Sequence, residues 1–277
     1  MGTFRKLFRR ARTRLFKIFF FGSTCSCMFC GESYRRFMHQ GIRADVFKKY
    51  QVTGAGYRKN VRCPNCGSRQ RHRLLHLFLE FRTDIYRRKV KLLHISPSLR
   101  LARVIRSHGT IDYVCGALHP DRFSELDAVE LDVTRIQFAD GEFDVVICNH
   151  VLEHVPDDET AMREIYRVLA PGGFAVLQVP LALDLQVTLE DPSINDGEQR
   201  KKAYGQRDHV RLYGLDYFTR LEGAGFTVVR DNPLQNRWPV DVKKYCLDEK
   251  EEVILGLKGP VAAPGSVAVA RTPGTAG

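Results

Sequence analysis

Two cysteine pairs stand out by their spacing. Cys27-Met-Phe-Cys30-Gly31 and Cys63-Pro-Asn-Cys66-Gly67 have the same form, with 32 residues between Cys30 and Cys63. Two thiolates spaced in this way reach one metal ion. The glycine that follows allows the tight turn that points backbone N–H groups at the sulfurs. Together the two knuckles offer four soft ligands in a tetrahedron, the donor set of a structural Zn²⁺ site. Four thiolates close the coordination shell, so the expected role is to fold a segment too small to hold itself together. Cys25 precedes the first knuckle and is a spare that could stand in for Cys27. The competing reading is a set of metal-free core cysteines.

A second group gathers around His150. Asn149, His150, Glu153 and His154 follow the apolar run Phe143 to Cys148, and His209 lies in the segment Gln206 to Gly214. Imidazoles titrate near neutral pH and serve as general bases, which makes His150, His154 and His209 the catalytic candidates. The plainer reading makes them structural histidines. The elements that must position them are legible. Phe143 to Cys148 is β-branched and apolar, the pattern of a strand buried on both faces. Asp157 or Asp158 can cap the helix that follows, whose apolar positions Ala161, Ile165, Val168 and Leu169 recur at helical spacing. Pro171-Gly172-Gly173 then turns the chain into a second buried strand, Phe174 to Val179. Strand–helix–strand units build parallel sheets that hold ligands at the carboxyl ends of the strands, where Asn149, His150, Glu153 and His154 stand.

The stretch FADGEFDVVICNHVLEHVPDDETAMREIYRVLAPGGFAVLQVP resembles the second half of a class I S-adenosylmethionine (SAM)-dependent methyltransferase. It is similar to the small-molecule, type 11-like group. The nucleic-acid N-methyltransferases place an Asn/Asp-Pro-Pro-aromatic loop where this chain has Asn149-His150-Val151. The resemblance spans residues 90–258 and implies a Rossmann-like, doubly wound α/β fold with a mostly parallel seven-stranded sheet. It implies SAM as cofactor, held by His94, Ser96, Pro97, Ser98, Ala117, Asp132, Val133, Asn149 and His150. Asp132 would accept from the adenine amino group. Two positions depart from the family pattern. The Gly-rich loop after the first strand (Val90 to Ile95) is Ser96-Pro97-Ser98, with His94 where an acid is usual. The second strand, Ile111 to Cys115, runs into Gly116-Ala117-Leu118 and lacks the acid that grips the ribose. The helix Leu99 to Ser107 still offers its N-terminus to a ligand carboxylate. Further elements expected are a third strand at Val129 to Leu131, a helix Leu215 to Glu222, and strands Phe226 to Arg230 and Glu252 to Leu257. Leu181 to Tyr204 reads as an insertion placed like a substrate lid.

Charge divides the chain. The whole carries a net +11, but residues 1–89 hold 22 Lys/Arg against 4 Asp/Glu, and residues 90–239 hold 16 against 23. An anionic partner is therefore expected at the front of the chain. Residues 1–23 form a basic amphipathic arm with seven Lys/Arg and no acid. That describes a helix able to lie on an anionic membrane surface, or one that docks on the protein's own core, or a solvated tail. Residues 24–89 make the zinc-ribbon-like module and a linking helix, Ser68 to Arg88. Arg69, Arg71, His72 and Arg73 crowd its first turn, where the helix dipole disfavours cations, which points to an anion-facing role or to packing against the acidic domain next door. Residues 259–277 are rich in Pro, Gly and Ala and read as disordered. Cysteine usage fits a reducing, cytoplasmic compartment, with the inner membrane surface as a peripheral site. The first expectation is methyl transfer to a small-molecule or glycan-like acceptor. The alternatives are an RNA methyltransferase that uses the basic module to bind nucleic acid, and a non-catalytic binding protein at the membrane.

Overall fold

The computed structural model describes residues 19–259. The expected basic arm and the expected disordered tail lie essentially outside these residues. Among the described residues, no helix is long and apolar enough to cross a membrane.

The amino-terminal module is made of short pieces: β1 (Cys25–Ser26), β2 (Ser33–Tyr34), β3 (Met38–Gln40), α1 (Asp45–Lys49), β4 (Val52–Thr53) and β5 (Arg58–Arg62). β1 pairs with β2 and β3 with β5, both antiparallel. Helix α2 (Gln70–Phe81) follows and is shorter than its apolar pattern predicts. Thr83 accounts for its end: its Oγ1 donates to the Leu79 carbonyl at 2.6 Å, a local bond that competes with continued helix.

The sheet follows as expected: β6 (Val90–Ile95), α3 (Leu99–Arg106), β7 (Ile111–Ala117), β8 (Val129–Glu130), β9 (Phe143–Cys148), α4 (Asp158–Val168) and β10 (Leu169–Val176). Then come the small strands β11 (Leu181–Ala182) and β12 (Leu189–Glu190), α5 (Gly197–Tyr204), β13 (Arg211–Leu212), α6 (Tyr217–Gly223), β14 (Thr227–Asp231) and β15 (Val253–Leu257). The seven-stranded order is β14-β15-β10-β9-β6-β7-β8. β6 runs parallel to both β7 and β9, and β9 runs parallel to β10. Only β15 is reversed against its neighbours. This is a Rossmann-like fold whose order reverses beside β6, the position at which such sheets open a ligand crevice. Asp157 is the residue that caps α4, accepting from the Thr160 N–H at 3.0 Å. Pro171-Gly172-Gly173 does not separate helix from strand. Helix α4 passes directly into β10, and the three residues form an irregularity between Leu169 and Phe174. A Cβ at Gly173 would come within 2.6 Å of the Asp144 carbonyl, which explains the glycine.

Each face of the sheet has its own core. One is filled by Met162, Ile165, Tyr217 and Leu221 from α4 and α6. The other is filled by Leu101 and Ile105 from α3, and by Leu74, Leu75, Phe78 and Leu79 from α2. The linking helix is thus a layer of the sheet's own core. Phe78 meets both Phe174 and Trp238.

The insertion after β10 meets the module. β11 pairs antiparallel with β4, and Phe47 packs with Ala182, Tyr204 and Leu212. Arg58 binds Glu251 at 2.8 Å, and Gln51 donates to Asp184 at 3.0 Å. Cys25 is not a spare ligand: it is disulfide-bonded to Cys246, 221 residues away.

Candidate active site

The Cys27, Cys30, Cys63 and Cys66 sulfurs lie within 4.8 Å of one another. Cys27 faces Cys66 at 3.5 Å and Cys30 faces Cys63 at 3.7 Å. Hydrogen bonding from Cys30 and Cys63 pulls the Cys27 thiol down to about 6, and hydrogen bonding from Cys27, with Cys30 and Cys63, pulls Cys66 down. Cys30 and Cys63 are pushed up. Four thiolates in this space would repel one another, and a divalent cation bound between them would offset that charge. Behind the cluster lies Arg73, fully buried, over the Phe37 ring at 4.6 Å. Its guanidinium donates to the carbonyls of Ser68, Val61, Tyr245 and Cys246. The charge of Arg73 opposes that of the thiolates, and its bonds tie the second knuckle to the chain around Cys246. Of the cations crowding the first turn of α2, Arg73 therefore has a structural role.

Because β6, β7, β8 and β9 run parallel, Ser96 to Ser98, Ala117, Asp132, Val133 and Asn149 to His154 all fall along one edge of the sheet. Ser96 has φ +47°, the left-handed region that favours glycine, so the Ser-Pro-Ser loop keeps a glycine-like turn without glycine. Pro97 is buried. Ser98 caps no N–H of α3, and its buried Oγ has no partner among the described residues. An open helix N-terminus and an orphaned hydroxyl fit the carboxylate end of a bound amino acid. His94 is buried beneath this loop. Its Nδ1 meets the Tyr113 hydroxyl at 3.1 Å, and burial pushes its pKa down to about 3. Ala117 and Val133 are buried. Asp132 is exposed, and its Oδ1 accepts from Thr134 N–H at 2.9 Å and Thr134 Oγ1 at 2.7 Å. That fixes the carboxylate and leaves its other oxygen open. The residues therefore fit SAM at the methionine and adenine ends. The ribose position offers only Ala117 and the exposed Leu118.

At the end of β9 the chain turns sharply. His150 has φ +57°, and its N–H donates to the Gln178 carbonyl at 2.7 Å. Asn149 Oδ1 accepts from the Gln178 N–H at 3.4 Å. His150 Nδ1 donates to Glu153 Oε1 at 3.2 Å, which leaves Nε2 as its basic nitrogen. Burial, with Arg71 beside it, holds His150 below its usual range; it is neutral at pH 7. His154 Nδ1 meets the Asp208 carbonyl at 3.0 Å. His209 is wholly buried, edge-on to His154 at 4.9 Å between ring centroids. Arg211 and Tyr213 hold this turn in place. Arg211 donates to the carbonyls of Leu152, Val155 and Pro156, and Tyr213 to Asp158 at 2.6 Å. They form a salt-linked cap whose acids are Asp158 and Glu190, and not Asp208 or Asp216. Asp208 instead pairs with His154, and Asp216 with Thr188 and Arg220.

His150 also closes the floor of a cavity of about 310 Å³ whose other walls come from the module. Gln40, Phe47, Gly54, Arg58, Arg69 and Arg71 line it, with Gln206 from beyond α5. Gly54 has φ +76°, and a Cβ there would lie 3.2 Å from the Val179 carbonyl and 3.5 Å from the His150 ring. The contact of Gly54 with His150 and the role of Arg69 and Arg71 as a wall could not be read from spacing, because module and sheet edge are far apart in sequence.

Residues 89–177 match a family model described as a methyltransferase domain. The match covers 89 of the 277 residues, and over them the chain is similar to class I SAM-dependent methyltransferases. Among curated proteins, an arsenite methyltransferase of Aquipseudomonas alcaligenes is 29% identical over 119 residues, 43% of this chain and 32% of that protein. A demethylmenaquinone methyltransferase of Mycolicibacterium vanbaalenii is 38% identical over 66 residues, 24% of this chain and 29% of the relative. The matched segments thus span about a third of these relatives' length. Among solved structures, a complex of a Haloferax volcanii methyltransferase activator with a putative methyltransferase aligns with 15% identity. That alignment has a TM-score of 0.47 and covers 69% of this chain and 91% of that one. The matched residues contain the methyltransferase domain's β6–β10 core but neither the cysteine module nor the insertion.

Proposed function

We propose that this protein transfers the methyl group of SAM to a small acceptor bearing a carboxylate or phosphate, a glycan-like acid among the candidates. The observation that carries the reading is the cavity over His150 with Arg69 and Arg71 in its wall. Neither guanidinium has an ion-pair partner among the described residues, and burial draws Arg71 down to about 10. Two cations facing a cleft favour an anion there. When bound, SAM supplies an electrophilic methyl group. Ser98 and the start of α3 would hold its carboxylate, and Asp132 its adenine. His150 is neutral and oriented by Glu153, so its free nitrogen can take the acceptor's proton. The rest of catalysis is alignment in a cleft shared by module and sheet edge.

The test starts with calorimetric titration of S-adenosylhomocysteine into the zinc-loaded protein. Micromolar binding, weakened at least about tenfold in Asp132→Ala, is the expected result. Transfer of labelled methyl to hydroxylated acids and sugar phosphates then tests the acceptor, with Arg71→Met raising KM more than it lowers kcat. No binding at millimolar S-adenosylhomocysteine would overturn the activity. Transfer confined to uncharged acceptors would overturn the acceptor class.

A further inference from the structure

Glu153 and His209 carry three of the buried polar atoms left without a partner among the described residues. Glu153 is 2% exposed, and only its Oε1 is used, by His150. Among the described residues its Oε2 has no partner, and neither ring nitrogen of His209 completes a hydrogen bond. The Tyr204 backbone comes near the His209 ring without closing one. Buried polar atoms left like this are costly, and three on adjoining side chains point to a missing partner. A backbone carbonyl can only accept, so His154 Nδ1, bonded to the Asp208 carbonyl, carries the proton. That leaves the lone pair on Nε2, the arrangement in which a second-shell carbonyl orients a ligating imidazole. The candidate ligand atoms of Glu153, His154 and His209 all lie within 4.8 Å of one another. Ligand atoms about 2.1 Å from a shared ion sit about 3.4 Å apart, so small side-chain rotations complete the set.

We propose that Glu153, His154 and His209 bind a first-row divalent cation beside the acceptor cavity. Two imidazoles and a carboxylate form a mixed nitrogen–oxygen set, different in kind from the four thiolates of the module. Three protein ligands leave coordination positions open, and a cation there would hold and acidify an acceptor oxygen next to His150. Arg211 and Tyr213 fix the turn that carries two of the ligands.

The test counts the cation directly and needs neither SAM nor acceptor, so it stands apart from the methyl-transfer reading. Mn²⁺ is titrated into the zinc-loaded full chain and followed by electron paramagnetic resonance, with Co²⁺ absorption as a second probe. The expected result is one equivalent bound per chain beyond the cysteine-site zinc, weakened about tenfold or more in Glu153→Gln and in His154→Gln. His154 is partly exposed, so its variant reports even where the buried Glu153 variant folds poorly; zinc content and a thermal melt verify folding. Absence of binding by both ions at millimolar concentration, or equal affinity in the wild type and in folded variants, overturns the proposal.

Discussion

At the scale of single residues, the cofactor edge keeps its backbone shape after losing its usual chemistry. Ser96 supplies the left-handed turn and Ser98 an unpaired hydroxyl, while His94 has become part of the core. His94 makes a sharp prediction. Burial holds its folded pKa at about 3, against about 6.5 when unfolded. A group with a lowered folded pKa contributes stability that is full above the unfolded value and is lost as pH falls from 6.5 towards 3. The neutral ring must then be protonated by unfolding. In denaturant titrations from pH 7 to 4, the wild type should lose stability more steeply than His94→Gln. Glutamine keeps a partner for the Tyr113 hydroxyl without titrating, and the difference should be on the order of a few kcal/mol. Equal slopes would mean that His94 is hydrated in solution.

At the scale of elements, sequence legibility follows burial. The sheet strands β6, β9 and β15 are apolar because both faces are covered, so runs such as Phe143 to Cys148 announce themselves. The insertion does not, because β11, β12 and β13 are two-residue strands fixed by distant partners. The cysteine knuckles were legible because their spacing is that of thiolate pairs able to share one metal ion. The Cys25–Cys246 bond was not, since no local pattern links residues so far apart. The site was half legible: the histidines were visible, but the arginines facing them and the open oxygen of Glu153 emerge only when the module folds across the sheet edge. Gly205 is one close point of the packing between the module and the insertion. It has φ +88°, and a Cβ there would come within 2.1 Å of the Phe47 ring. Gly205→Ala should therefore cost about 2 kcal/mol or more in denaturant titration, from backbone strain and overpacking together. Adding Phe47→Leu should recover the packing part and leave the strain. Full additivity of the two substitutions would mean that α5 and the module do not touch as described.

At the scale of the whole molecule, module and methyltransferase domain are not independent. The β4–β11 pairing, the Arg58–Glu251 bridge and the bonds of Arg73 to the Tyr245 and Cys246 carbonyls join them, and the cavity exists only where they meet. The two ligand regions nevertheless lie on different supports. The residues assigned to SAM stand on β6 to β9, whereas Arg69 and Arg71 stand at the start of α2, directly after the second knuckle, ahead of the turns of that helix that pack on the sheet. Loss of zinc should then separate two affinities. In Cys63→Ser/Cys66→Ser, zinc should fall from one ion per chain to none, and the melting transition should move down or split as the module loosens. S-adenosylhomocysteine affinity should change less than about threefold, while affinity for an anionic acceptor should fall tenfold or more. A metal-free variant with an unchanged melt would show that core packing, and not metal, folds the module. Equal loss of both affinities would show that the sheet edge itself depends on the module, and the division of labour between the two parts would have to be abandoned.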